Sequence, residues 1–375
     1  MPSDNQQGGG GLPSLTPEER TALQDAVTRL LADRSAEADV RRTMETEAGY
    51  DPVLWTQLAE MGVTGLIVDE AYGGAGAGPL ELEAVMEAAG AALLCGPLLG
   101  SGVLAAEFLQ RLDDADAKTR LLPGIAAGAT IAAAALTGES GAWTPEGVAV
   151  TADGDALSGA ASYVIHGQSA DVLLVLARTP DGLGAFEVDS GAAGVTIHAL
   201  PTFDHTLRLA RIAFDAAPGR RLTGDAWAAA EAALRLALVG LAGEQAGGAR
   251  RCLDFTVDYA KNRYQFGRAI GSFQAVKHMA ADLLLETESA ISAARNAAAK
   301  LAAAAPDADA AVSLAAFACA DAYVKTTADA VQMHGGIAFT WAHPAHLYLR
   351  RARADAQLFG VSAAHRERFL TALGA

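Results

Sequence analysis

RYQFGRAIGSFQAVKH (residues 263–278) and VQMHGGIAFTWAHPAH (residues 331–346) decide the reading of this 375-residue chain. The first stretch ends a long alanine- and leucine-rich helical pattern. It interrupts that pattern at Phe266-Gly267 and Gly271-Ser272 before helix resumes at Phe273, so the spacing predicts a helix–turn–helix corner. The corner carries a fixed cation, Arg263, beside an amide, Gln265, and an aromatic ring, Phe266, a set suited to a pyrophosphate next to a flat ring. The second stretch closes another helical pattern at Gly335-Gly336, with Gln332 one turn earlier. Glycines there let backbone approach a ligand closely. Taken singly, each stretch also reads as a structural helix end.

Composition narrows the class. A chain of this length buries a large core and divides into two or three domains. The hydrophobic fraction of 51% fits a globular fold, and a formal net charge of −16 excludes nucleic acid or an anionic membrane surface as the main partner, because both require a basic face. Cys95, Cys252 and Cys319 lack metal-like spacing and read as reduced thiols of a cytoplasmic protein. The uncharged run over residues 88–106 has transmembrane length, but Gly96-Pro97 and Gly100-Ser101-Gly102 break it; two buried helix ends joined by a turn is the reading.

Residues 1–14, with their Gly8–Gly11 run, read as a flexible leader. Thr16-Pro17-Glu18-Glu19 then gives an N-cap, a proline at the first helical position and a capping-box glutamate. Amphipathic segments follow over residues 15–130, an N-terminal helical domain. Across residues 131–222 the texture changes to short β-prone runs at 147–151, 171–177, 183–188, 195–197 and 208–214, separated by turn signals such as Asp153-Gly154; these predict a middle antiparallel β-domain. Residues 223–375 return to long helical patterns, parted at Pro306, with a single last helix over 344–373. They predict a C-terminal four-helix bundle. The fold class is α+β, mostly α.

The order and spacing of the two opening stretches resemble the acyl-CoA dehydrogenase family, whose signatures run roughly R-x-x-F-G-x-x-I-x-x-F-Q and Q-x-x-G-G-x-G. Arg263, Gln265, Phe266, Phe273, Gln274, Gln332, Gly335 and Gly336 fit that pattern. LWTQLAEMGVTGLIVDEAYGGAGAG (residues 54–78) is similar to the family's N-terminal segment, and LSGAASYVIHGQSADVLLVLA (residues 157–177) to its middle domain. The resemblance implies FAD as cofactor, an acyl-CoA thioester as substrate, α,β-desaturation as reaction, and an electron-transfer flavoprotein or similar acceptor as partner.

In that family a carboxylate removes the α-proton while the flavin takes the β-hydride. The usual position of the base falls here on Gly360, within LFGVS (residues 358–362), and an alternative position on the first bundle helix falls on Ala237. Neither residue accepts a proton. The nearest carboxylates are Glu231 and Glu244, the latter about 10 Å from Ala237 along the helix; Glu244 is the weak candidate for a base, and a polar helix or subunit contact is its plainer reading. The family's middle-domain motifs for the flavin ring correspond to LTGESGAW (residues 136–143) and SYVIHG (residues 162–167), where Thr137, Ser140 and Tyr163 substitute only in part.

In the family the ring-holding residues and the base serve the flavin of their own subunit, whereas the arginine corner and the glycine turn reach the diphosphate and adenosine of a neighbour's FAD. This chain keeps the second group and lacks the first. The resemblance therefore implies the non-catalytic partner of a heteromeric α2β2 enzyme, similar to those of actinobacterial steroid side-chain degradation, paired with a glutamate-bearing paralogue. The rivals are an active homotetramer with a non-standard carboxylate base and a flavin-free scaffold. His334, before the glycine pair, is a further candidate FAD contact or a helix-dipole partner. His343 and His346 have a spacing compatible with metal, but no other ligand completes a set; no metal is expected.

Overall fold

The computed structural model describes residues 15–374; the leader expected over residues 1–14 lies outside the described residues. Six helices come first: α1 (Pro17–Arg34), α2 (Glu37–Thr43), α3 (Pro52–Glu60), α4 (Pro79–Ala91), α5 (Ala106–Arg111) and α6 (Ala115–Ala126). The predicted capping box forms at α1, where Thr16 Oγ1 accepts from the Glu19 amide at 3.2 Å and Glu19 Oε2 accepts from the Thr16 amide at 2.9 Å. The apolar run before α5 is a buried π-helix, Leu98–Ala105.

Eight strands follow: β1 (Ala132–Ala135), β2 (Thr151–Asp153), β3 (Ala156–Ile165), β4 (Val172–Thr179), β5 (Gly182–Asp189), β6 (Val195–Ala199), β7 (Leu209–Pro218) and β8 (Arg220–Leu222). They form one sheet in the order β6-β7-β3-β2-β4-β5-β8, with β1 beside β4. The sheet is not wholly antiparallel as the sequence predicted: β1 runs parallel to β4, Ala132 opposite Val172. Four alanines carry little strand propensity, and burial decides β1. Ala132 and Ala134 enter the core shared with the helices, and Ala133 and Ala135 the sheet's own core, the two-residue alternation of a strand buried on both faces.

The rest is helical apart from one small hairpin: α7 (Ala226–Asn262), β9 (Tyr264–Gln265), β10 (Arg268–Ala269), α8 (Gln274–Ala302), α9 (Ala308–His334), α10 (Ala345–Asp355) and α11 (Ser362–Ala372). The single last helix predicted from sequence is two, because Phe359 and Gly360 adopt φ of +59° and +120°, which no helix accommodates. Helix α7 is long and apolar enough to cross a membrane, yet 72% of its apolar 18-residue window is buried inside the protein; it is a core helix. Helices α4 and α7 cross backbone to backbone, since a Cβ on Gly90 would lie 1.9 Å from Glu244 O and one on Gly247 1.9 Å from Glu87 O. One continuous apolar cluster joins the N-terminal helices, one sheet face and the bundle, running from Val27 through Leu174 to Phe359.

Candidate functional site

Helix α7 ends where Arg263 turns extended at φ −85°, ψ 122°. Beyond it lies a β-hairpin instead of a plain helix–turn–helix corner: Arg268 pairs with Gln265 and Ala269 with Tyr264. Phe266 and Gly267, at φ of +53° and +77°, make the two-residue turn whose twist matches such a hairpin. The turn lifts Phe266 to 92% exposure. Behind it, the Arg268 guanidinium stands 4.0 Å over the Phe273 ring. Gln265 and Gln274 are exposed beside it, as is Arg263, which joins no ion pair among the described residues, although Arg250 and Arg295 on the flanking helices do.

Helix α9 ends on exposed Gln332 and buried His334, and Gly335 follows at φ 65°, ψ −145°, a region open to glycine alone. A Cβ on Gly335 or Gly336 would meet nothing within 4 Å. Gly336 does not have a positive φ, so nothing in this chain's own packing demands glycine there.

The two motifs meet at one end of the bundle. The Tyr259 ring stacks on the His334 imidazole with centroids 4.3 Å apart, and Met333 shares an apolar cluster with Ala260, Ile270 and Val276. His334 is thus turned inward. Its Nδ1 lies 2.8 Å from Ala330 O, the His343 ring is 4.3 Å away, and burial lowers its pKa.

The second corner is built differently. Thr137 is 2% exposed and spends its hydroxyl on Ala142 O at 2.8 Å. Ser140 is exposed and accepts from the Ala142 amide, and Tyr163 sits half-exposed at φ +57° where the β3–β7 register shifts. Trp143 meets Phe359 edge to face at 5.0 Å, both rings buried. Gly360 follows, its Cβ position 3.3 Å from His365 Nε2. Ala237 lies fully buried in the same core, and Glu231 is exposed on α7.

Glu244 is taken up in a buried ionic cluster that sequence reasoning missed. The Arg351 guanidinium donates to Glu244 Oε1, to Asp204 Oδ2 at 2.9 Å, to Thr206 O at 2.9 Å and to Leu94 O at 3.2 Å. It thereby ties α7, α10, the sheet segment and the N-terminal helices. Asp355 lies one turn on, fully buried, with neither oxygen hydrogen-bonded; burial first, then the Glu244 charge, hold its pKa well above the carboxylate range. The spacing of Arg351 and Asp355 was the only local signal, because Asp204 and Glu244 are joined to them by the fold alone.

These two corners on this three-part fold define a flavoprotein-type dehydrogenase architecture. Family models for the acyl-CoA dehydrogenase N-terminal and C-terminal domains match residues 17–129 and 224–373. The chain is 36% identical over 345 residues to acyl-CoA dehydrogenase IpdE2 of Mycolicibacterium smegmatis, covering 92% of this chain and 95% of that one. Among solved structures, the ChsE4-ChsE5 complex from Mycobacterium tuberculosis superposes with a TM-score of 0.88 at 30% identity over 97% of this chain and 99% of that one. The Tcur3481-Tcur3483 steroid ACAD G363A variant gives 0.86 at 30% identity over 95% and 98%. The chain belongs to the acyl-CoA dehydrogenase family, a family of FAD-dependent oxidoreductases.

Proposed function

We propose that this chain is the base-lacking subunit of a heteromeric acyl-CoA dehydrogenase that lends diphosphate and adenosine contacts to the FAD of a glutamate-bearing partner. One observation carries the reading: the lending end is exposed and outward, whereas at the ring corner Thr137 is spent on Ala142 O and Trp143 packs on Phe359. Arg263, Gln265, Gln274 and Gln332 would present a cation and amides to the diphosphate, and Gly335-Gly336 would let backbone approach it. FAD, when bound, supplies the hydride acceptor of the family's desaturation. Phe273 supports the hairpin under Arg268, and His334 acts from behind the glycine turn. Glu244 is read as the structural partner of Arg351, not as a base.

Exposed aromatic residues concentrate at the lending end: Tyr264 at 66%, Phe266 at 92%, Phe339 at 77% and Trp341 at 55%. Apolar surface of this kind marks an interface, and the adjoining partner subunit is the occupant this reading requires. The ChsE4-ChsE5 complex and the steroid ACAD support a heteromeric assembly and a steroid-derived acyl-CoA as the substrate class; the reading adds an electron-transfer flavoprotein or similar acceptor and a cytoplasmic location. The reading treats residues 15–130, 131–222 and 223–375 as the three domains. Co-expression with a glutamate-bearing paralogue tests it: the pair should desaturate a steroid acyl-CoA that neither chain turns over alone. Turnover by this chain alone would overturn the proposal.

A further inference from the structure

Tyr259 touches both halves of the lending end. It lies one helical turn before Arg263, whose amide donates to Tyr259 O at 2.8 Å. Its ring is stacked on His334 at 4.3 Å and 28°, and its hydroxyl reaches His334 O at a long 3.4 Å. His334 is the residue immediately before Gly335. No other residue of the cluster bonds to Arg263 while packing on His334: Phe255 lies a turn further back, edge-on to His334 at 5.7 Å, and His343 approaches from beyond the glycine turn.

The Arg263 corner and the glycine turn belong to different helices, and each is exposed. Arg263 makes no ion pair among the described residues, so their separation is set from beneath, where Met333 packs with Ala260 and Ile270 and Tyr259 stacks on His334. A flat ring wedged against the residue before Gly335 supplies that constraint from beneath. We propose that Tyr259 is a positioning residue that sets the distance and angle between Arg263 and the Gly335-Gly336 turn, acting through His334 on the flavin diphosphate and not by touching it. The inference rests on the lending function proposed above. The stacked ring does the positioning; the hydroxyl adds little, since 3.4 Å is near the limit of a hydrogen bond.

The test compares Arg263→Ala, Tyr259→Leu and Tyr259→Phe in the complex with the glutamate-bearing partner, reading FAD dissociation by flavin fluorescence alongside assembly and Tm. Tyr259→Leu removes the aromatic stack and should weaken FAD by roughly threefold to tenfold with assembly retained; Tyr259→Phe should restore wild-type affinity. On the isolated chain, the ring-current shift of the His334 imidazole protons should lose the Tyr259 contribution in Tyr259→Leu, leaving that of Phe255 and His343, and persist in Tyr259→Phe, which shows the stack itself. If Arg263→Ala loosens FAD and Tyr259→Leu does not, or if Tyr259→Leu acts only by dissociating the subunits, the positioning role is wrong while the lending function stands. If Arg263→Ala has no effect on FAD, the lending function fails and the role of Tyr259 falls with it.

Discussion

Trp143, from the loop after β1, and Phe359, from the loop after α10, pack edge to face with ring centroids 5.0 Å apart at 74°. They join segments more than two hundred residues apart, at the corner where the proposed function puts the family's flavin ring and base. Phe359 is 1% exposed and stands next to Gly360, the position that the proposed function reads as that of the missing glutamate. The corner is a packed core, and its energetics follow from that.

Phe359→Ala should therefore behave as a core truncation, costing about 3–5 kcal/mol of stability without conferring flavin binding. Urea unfolding checks the first point and flavin absorbance the second. A double-mutant cycle with Trp143→Ala should return a coupling of about 1 kcal/mol.

Restoring the family's carboxylate should not restore activity. Gly360 sits at φ +120°, so Gly360→Glu forces a side chain into a left-handed backbone at a cost on the order of 1–3 kcal/mol. A lower Tm with no acyl-CoA turnover is the expected pair of results; turnover would show that the corner opens when the residue changes.

Glu244→Gln distinguishes a structural carboxylate from a base. It leaves Arg351 short of one buried counter-charge, and breaking such a pair costs about 3–5 kcal/mol, seen as a large drop in unfolding midpoint. A base would instead tolerate the amide in stability and lose turnover.

Stability should decline as pH rises from mildly acidic to about 8. Burial, then the Glu87 charge, raises Glu83 from 4.5 to about 8, and Asp355 is raised by burial and by Glu244. For a carboxyl whose folded pKa is raised, the stabilising contribution is complete below its unfolded pKa and is lost as pH climbs through the folded one. For Glu83 the window runs from 4.5 to about 8, at up to about 1.4 kcal/mol per pH unit. Thermal midpoints measured across that window should fall in wild type and flatten in Glu83→Gln. Asp355→Asn should flatten them further, and an unchanged slope in both variants would mean that these carboxyls are ionised in the native state.

The helix ends at Arg263 and Gly335-Gly336 were legible because their signals are local: helix-ending glycines, one arginine and two glutamines at fixed spacing. The helical–sheet–helical order was legible from periodicity. The hairpin at Phe266-Gly267 was missed because a two-residue turn between two-residue strands looks like any glycine break. Strand β1 was missed because AAAA reads as helix until burial on both faces is known. The cluster around Arg351 escaped for another reason: Asp204 precedes it by 147 positions and Glu244 by 107, and no local pattern pairs residues so far apart. The same holds for Trp143 and Phe359, whose contact no local pattern announces.

The central claim is tested most directly by flavin absorbance per chain, for this protein purified alone and for its complex with a glutamate-bearing partner, each with and without Arg263→Ala. The account predicts a colourless chain, a yellow complex and a complex that loses its colour with Arg263→Ala. A chain that is fully yellow alone, and stays yellow with Arg263→Ala, would contradict it.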